Sequence, residues 1–263
     1  MELTEIEQKE LQVAKNLLEN PGLAARITNL VGTPIEKGFD LLPDNWNKNI
    51  GDLTQAALLK ASEAAIFTMK DIPGEESSNI WHKVGIAACG GVGGCFGVAG
   101  LSVELPISTT IMLRSIADVA RSEGESISAI ETKMACLEVF ALGGKSESDD
   151  ATESGYYAVR YALAKSVSEA TDYLIRKGIT KESAPALVKL IAKIAERYGV
   201  QITQKTAAQA VPAIGAVGGA IVNTLFIDHF QDMARGHFLI RKLERRHNPE
   251  IIRKYYELLE ING

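Results

Sequence analysis

The chain has 263 residues, 46% of them hydrophobic and 23% charged, with a net charge of −5. That balance excludes wholesale disorder, and 23 Gly beside 8 Pro without a G-X-Y period excludes a collagen-like helix. A pI of 5.5 argues against a nucleic-acid partner, whose non-specific binding rests on basic charge.

Period-2 alternation is scarce and helix punctuation is frequent. Thr4-Glu5-Ile6-Glu7 reads as a capping box opening a first helix, in which Ile6, Val13, Ala14, Leu17 and Leu18 recur at helical spacing. Asn20-Pro21-Gly22 stops it. Thr33-Pro34-Ile35-Glu36 is a second box, and Pro43 ends its helix. A longer helix follows from Asp44 towards Lys70, then a loop over Ile72–Asn79. Ile80–Gly124 reads as helical at both ends around a Gly-rich centre. Ser128-Ala129-Ile130-Glu131 opens another helix, closed by Gly143-Gly144. After the loop KSESDD, helices are expected from Ala151 to Lys177 and from Pro185 to Tyr198, the latter closed by Gly199. Another starts near Gln201, is interrupted by Pro212 and Gly215–Gly219, and resumes through Arg246. A terminal helix follows Pro249. The expectation is an all-α globular bundle, with residues 1–31 as a peripheral N-terminal helical region and 32–263 as the main domain.

The start MELTEIEQKELQ is acidic and amphipathic, so no secretory signal is expected, and the setting read from the residues is cytoplasmic. Cys89, Cys95 and Cys136 form no C-x-x-C and read as reduced core thiols.

Two segments carry no charge: Val84–Val103, 20 residues, and Thr206–Ile227, 22 residues. A bilayer span needs ~20 apolar residues, but these are rich in Gly, with Gln209, Pro212 and Asn223 in the second. Gly90, Gly94 and Gly97 in the first, and Gly215 and Gly219 in the second, supply small-residue faces that allow close backbone approach in a buried helix pair or a membrane-entering hairpin. Thr110–Arg121 also aligns without gaps on Thr224–Arg235, with Thr, Asp, Ala and Arg matching, as a diverged duplication or chance helical similarity would produce.

No phosphate loop, dinucleotide fingerprint, nucleophile elbow or zinc-protease helix is present, so no cofactor is expected. The most enzyme-like stretch holds Asp228, His229, Asp232, Arg235 and His237. At helical spacing Asp228, His229 and Asp232 share a face, and Asp118, Glu104 or Glu138 on a facing helix would complete a carboxylate–His site. The competing reading is a packed stripe of Phe226, Phe230, Met233, His237 and Ile240, with His237 a hydrogen-bonded core residue and no metal bound. Glu138, Asp149, Asp150 and Tyr156 flank Gly143-Gly144, either as a carboxylate-lined cleft or as a helix cap with an acidic loop. Arg241, Lys242, Arg245 and Arg246 would either face anionic headgroups or form a solvated helix end.

The stretches GVAGLSVELPISTTIMLRSIADVARSEGE, CLEVFALGGKSESDDATESGYYAVR and GVQITQKTAAQAVPAIGAVGGAIVNTLFIDHFQDMARGHFLIRKLER, with TPIEKGFDLLP before them, resemble the bacterial EcsC family over Gly32–Arg246. The resemblance implies that Glu104, Asp149, Asp150, Tyr156, Arg235 and His237, with Glu138, Arg160, Lys205, Gln209, Asn223 and others, matter together. The family is named for the third member of an operon that encodes an ABC transporter, and this implies a membrane setting rather than a reaction. The leading expectation is therefore a non-enzymatic cytoplasmic protein peripheral to the inner face of the membrane, bound to lipid or to a membrane-transport complex. A hydrolase using Asp228, His229 and Asp232 with Glu138 or Asp118, and an adaptor that binds protein only, stand as alternatives. The oligomeric state is left open.

Overall fold

Thr4 and Glu7 close the box that opens the chain: the Thr4 amide donates to Glu7 Oε2 at 3.0 Å, and the Glu7 amide donates to Thr4 Oγ1 at 3.3 Å. The helix they start, α1, runs Glu5–Glu19. The computed structural model describes residues 3–19, 22–31, 35–68, 97–143, 155–177, 185–211 and 215–260. After α1 come α2 (Leu23–Val31), α3 (Glu36–Phe39), α4 (Trp46–Thr68), α5 (Gly97–Ser122) and α6 (Ile130–Glu138). A short 3₁₀ turn, Val139–Ala141, follows, then α7 (Gly155–Lys177), α8 (Pro185–Ala210), α9 (Gly215–Arg246) and α10 (Pro249–Leu258). Among the described residues there are ten α-helices and no strand, as an all-α bundle requires. The Thr33-Pro34 start, the Ile72–Asn79 and KSESDD loops, Cys89, Cys95, Gly90, Gly94, Asp149 and Asp150 lie outside the described residues.

Local signals and observed helices differ in four places. α2 has no counterpart in the punctuation; it forms because Leu23 and Ile27, one turn apart, are both buried. α6 begins at Ile130 with Ala129 at the N-cap, where there is no side-chain cap bond. α8 runs straight through Gly199. Glycine costs a helix ~1 kcal/mol relative to Ala, and here Leu190, Ile191, Ile194, Tyr198 and Ile202 are buried along one face and outweigh it. The run Gly215–Gly219 opens α9 rather than interrupting a helix, because α8 has already ended at Ala210 ahead of Pro212.

α9 is the axis of the bundle, with α1, α2, α5, α8 and α10 against it, while α4 packs on α5 and α8. Four contacts set the directions. On α8, Lys205 meets Glu104 of α5 and lies over Phe226 of α9, while Tyr198, two turns earlier, meets Thr109 of α5 and packs edge-on against Phe230 of α9. α8 is therefore antiparallel to both, and α5 and α9 run parallel. Phe140, Tyr198, Phe226 and Phe230 form the aromatic centre, with ring centroids 4.8 Å apart for Phe140–Tyr198 and 5.1 Å for Phe226–Phe230.

Residues ahead of the 31/32 boundary share this core: Leu3, Leu11, Ala14, Leu18, Leu23 and Ile27 are all buried in it. Gly236 lets α1 approach α9 closely. A Cβ there would fall 2.6 Å from Leu18 Cγ and 3.1 Å from the Ala14 carbonyl oxygen.

Candidate functional site

The polar residues singled out in the sequence fall at separate places along α9. The most concentrated lies near its C-terminal end. His237 is 0% exposed, and its Nδ1 sits 3.1 Å from the hydroxyl of Tyr156, the second residue of α7. Among the described residues, His237 Nε2 has no hydrogen-bond partner. Arg160, one turn beyond Tyr156, donates twice to Glu244, at 2.7 and 3.0 Å, and its guanidinium lies 5.5 Å from the Tyr156 ring centroid. Glu138, the last residue of α6, is buried within the field of Arg160 and Arg241.

Burial controls the protonation of this cluster. It pushes the His237 imidazole well below its ordinary range, and the positive charges of Arg160 and Arg241 push it further. It pushes the Glu138 carboxyl up, against the pull of the same two arginines. It also raises the Tyr156 hydroxyl. The cluster at neutral pH therefore holds a neutral imidazole and a neutral phenol.

Closer to the middle of α9, His229 is 2% exposed and its ring presses on Gly143. Gly143 has φ +74°, and a Cβ there would fall 2.5 Å from His229 Cε1 and 2.7 Å from Met233 Sδ, so both backbone and space demand glycine. The adjacent Leu142 carbonyl accepts from Gln201 Nε2 at 2.6 Å. Burial, and then Arg26, drive the His229 imidazole down to about 3.

The proposed carboxylate–His set does not gather at one point. Asp232 pairs with Arg26 of α2 at 2.9 Å, His229 faces Gly143, Asp118 pairs with Arg121 at 3.1 Å, Glu138 belongs to the His237 cluster, and Asp228 is half-buried on α9. Among the described residues no group of three or more His, Cys, Asp or Glu is placed to hold a metal ion.

Other members of the polar set lie towards the start of α9. Lys205 Nζ, on a side chain 1% exposed, donates to Glu104 Oε1 at 2.8 Å, and Gln209 Nε2 donates to Asn223 Oδ1 at 3.1 Å. Arg235 is exposed. In the basic run, Arg241 pairs with Glu125 at 2.9 Å, Arg245 pairs with the same carboxylate, and Lys242 pairs with Glu10 of α1 at 2.8 Å. Arg246 is exposed. Burial of Glu125 works against its ionisation, yet Arg241 and Arg245 hold its carboxyl below the usual range.

Sequence reasoning missed Arg26, Glu125 and Gln201. Arg26 sits on the unanticipated α2. Gln201 alone left a trace, a polar residue inside the apolar run between Tyr198 and Ile202. Glu125 left none, because its charged partners are 116 and 120 residues away.

Parallel packing brings the starts of α5 and α9 to one end of the bundle, and Gly97, Gly215 and Gly219 lie there. Val103, Ile107 and Ile221, also on these starts, are exposed, Val103 by 67%. No helix of the described residues is long and apolar enough to cross a membrane.

The family model of the EcsC protein family matches residues 5–243. No curated protein and no solved structure matches the chain.

Proposed function

The chain belongs to the EcsC protein family, and we propose that it is a non-enzymatic protein of the inner membrane face, associating peripherally with membrane lipid or a membrane-transport complex. The attachment surface is the end of the bundle where α5 and α9 start. One observation carries this reading: the described parts of two uncharged segments, more than 100 residues apart in the chain, meet at that end, with Val103, Ile221 and the adjoining Ile107 exposed. Aliphatic side chains left in water there gain ~25 cal/mol per Å² when an apolar phase covers them.

The basic run does not supply the attachment. Arg241, Lys242 and Arg245 are held by Glu125 and Glu10. Gly219 and Arg241 are separated along α9 by roughly 33 Å at 1.5 Å per residue. Apolar contact, not headgroup charge, is thus the expected source of affinity.

The test is flotation of the purified protein with liposomes of varied anionic content at low and high salt. Flotation that survives high salt and is lost in the Val103→Glu/Ile107→Glu double variant supports the reading. Absence of flotation, together with no membrane protein recovered in pull-downs, overturns it and leaves a protein-only adaptor. The hydrolase alternative has less support, because Asp232 is engaged by Arg26 while His229 is closed against Gly143.

A further inference from the structure

We propose that the His237–Tyr156 contact is an acid-sensitive latch, which holds the first turn of α7 on α9 at neutral pH and releases it on acidification.

The geometry admits only an uncharged imidazole. His237 is 0% exposed, Nδ1 is occupied by the Tyr156 hydroxyl at 3.1 Å, and Nε2 has no hydrogen-bond partner among the described residues. An imidazolium needs two acceptors or water, and it finds one phenol. The groups facing it add to the penalty. α7 brings Tyr156, Tyr157 and the cation Arg160; α9 itself brings Arg241 and, behind Arg160, Glu244. α6 brings Glu138, whose carboxyl is pushed up by burial against the pull of Arg160 and Arg241. α10 brings Tyr256, 5.8 Å from Tyr156 between ring centroids, with Glu19 and Lys15 of α1 on its far side.

Protonation therefore requires water at the ring. Tyr156 covers Nδ1 from the first described turn of α7. Lifting that turn off α9 admits water to the ring. The open form titrates at an ordinary imidazole pKa of ~6.5, so its population rises about tenfold from pH 7.5 to 5.5.

Hydrogen exchange on the full chain, corrected for intrinsic rates, tests this. Opening of the amides around Tyr156–Arg160 is expected to rise about tenfold between pH 7.5 and 5.5, at an opening free energy below that of the α5 amides around Leu113–Ala117, which open with the whole fold. His237→Phe should abolish the rise. Tyr156→Phe should open the turn more at both pH values and keep the rise. A rise that persists in His237→Phe, an opening free energy for the Tyr156–Arg160 amides equal to that of the α5 amides, or no rise in the unmodified protein overturns the proposal. Should His237→Phe not fold, the imidazole NMR of His237 decides. A ring whose main population titrates near 6.5, or one that stays neutral while the amides around Tyr156–Arg160 open no more at pH 5.5 than at 7.5, overturns the latch; a neutral ring with those amides opening about tenfold more upholds it.

Discussion

Gln231 on α9 donates through Nε2 to the Ser115 hydroxyl on α5 at 2.7 Å, joining residues 116 apart in the chain. That separation is close to the offset of 114 (224 − 110) at which the block Thr110–Arg121 aligns with Thr224–Arg235. The two similar blocks are thus side-by-side neighbours in parallel helices. Because they run the same way, the starts of α5 and α9 lie at one end of the bundle, and the proposed attachment surface depends on that.

Near the same end, Lys205 and Glu104 form an ion pair with little access to water. Glu104→Gln should leave an uncompensated ammonium among apolar groups such as Phe226, at a cost of about 3–5 kcal/mol in urea denaturation. The double variant Glu104→Leu/Lys205→Met should lose less than the single one, since it removes both charges together. A single variant as stable as the parent would mean that water reaches Lys205.

Gly143→Ala combines a positive φ with a Cβ inside the His229 ring and Met233. The expected loss is at least ~2 kcal/mol, read as a lower denaturation midpoint. Gly236→Ala meets the flexible end of Leu18 and the Ala14 carbonyl, without a special φ. It should cost less, about 1–2 kcal/mol.

His229 makes the fold itself acid-labile. Its imidazole is held at about 3 in the folded state, against an ordinary ~6.5 when unfolded. The depressed value means that the unfolded chain binds the extra proton. Stability contributed by the neutral ring is fully present above pH ~6.5 and falls by about 1.4 kcal/mol per pH unit as pH drops towards 3. Stability from denaturation should stay level between pH 7.5 and about 6.5 and show this slope below it, and His229→Gln should flatten the slope relative to the parent.

Lys242→Ala and Arg246→Ala should leave the salt response of liposome flotation unchanged. Lys242 already faces Glu10, and both lie far along α9 from the apolar end. Their stability effects should stay within about 1 kcal/mol, as for partly exposed pairs. Flotation that collapses in these variants would return the attachment to headgroup charge.

Helical identity was legible residue by residue. The Thr4–Glu7 box, the Gly143 stop and the Pro249 start are interactions within a few residues of one another, so the sequence carries them in full. Gly199 misleads for the opposite reason. A glycine stop is a weak local preference, and the buried face of α8 overrides it. α2 was silent because nine residues offer too short a period to read.

The sequence by itself determined that this chain is all-helical, that two of its segments carry no charge, and which polar residues stand out along it. Only the tertiary structure decided which of those residues meet. Tyr156 and His237 are 81 residues apart, Arg26 and Asp232 are 206 apart, and Glu10 and Lys242 are 232 apart. Helix propensity and caps act over one or two turns, where spacing is fixed by the backbone. Partners across the bundle are chosen by how whole faces pack, and no local pattern encodes that choice.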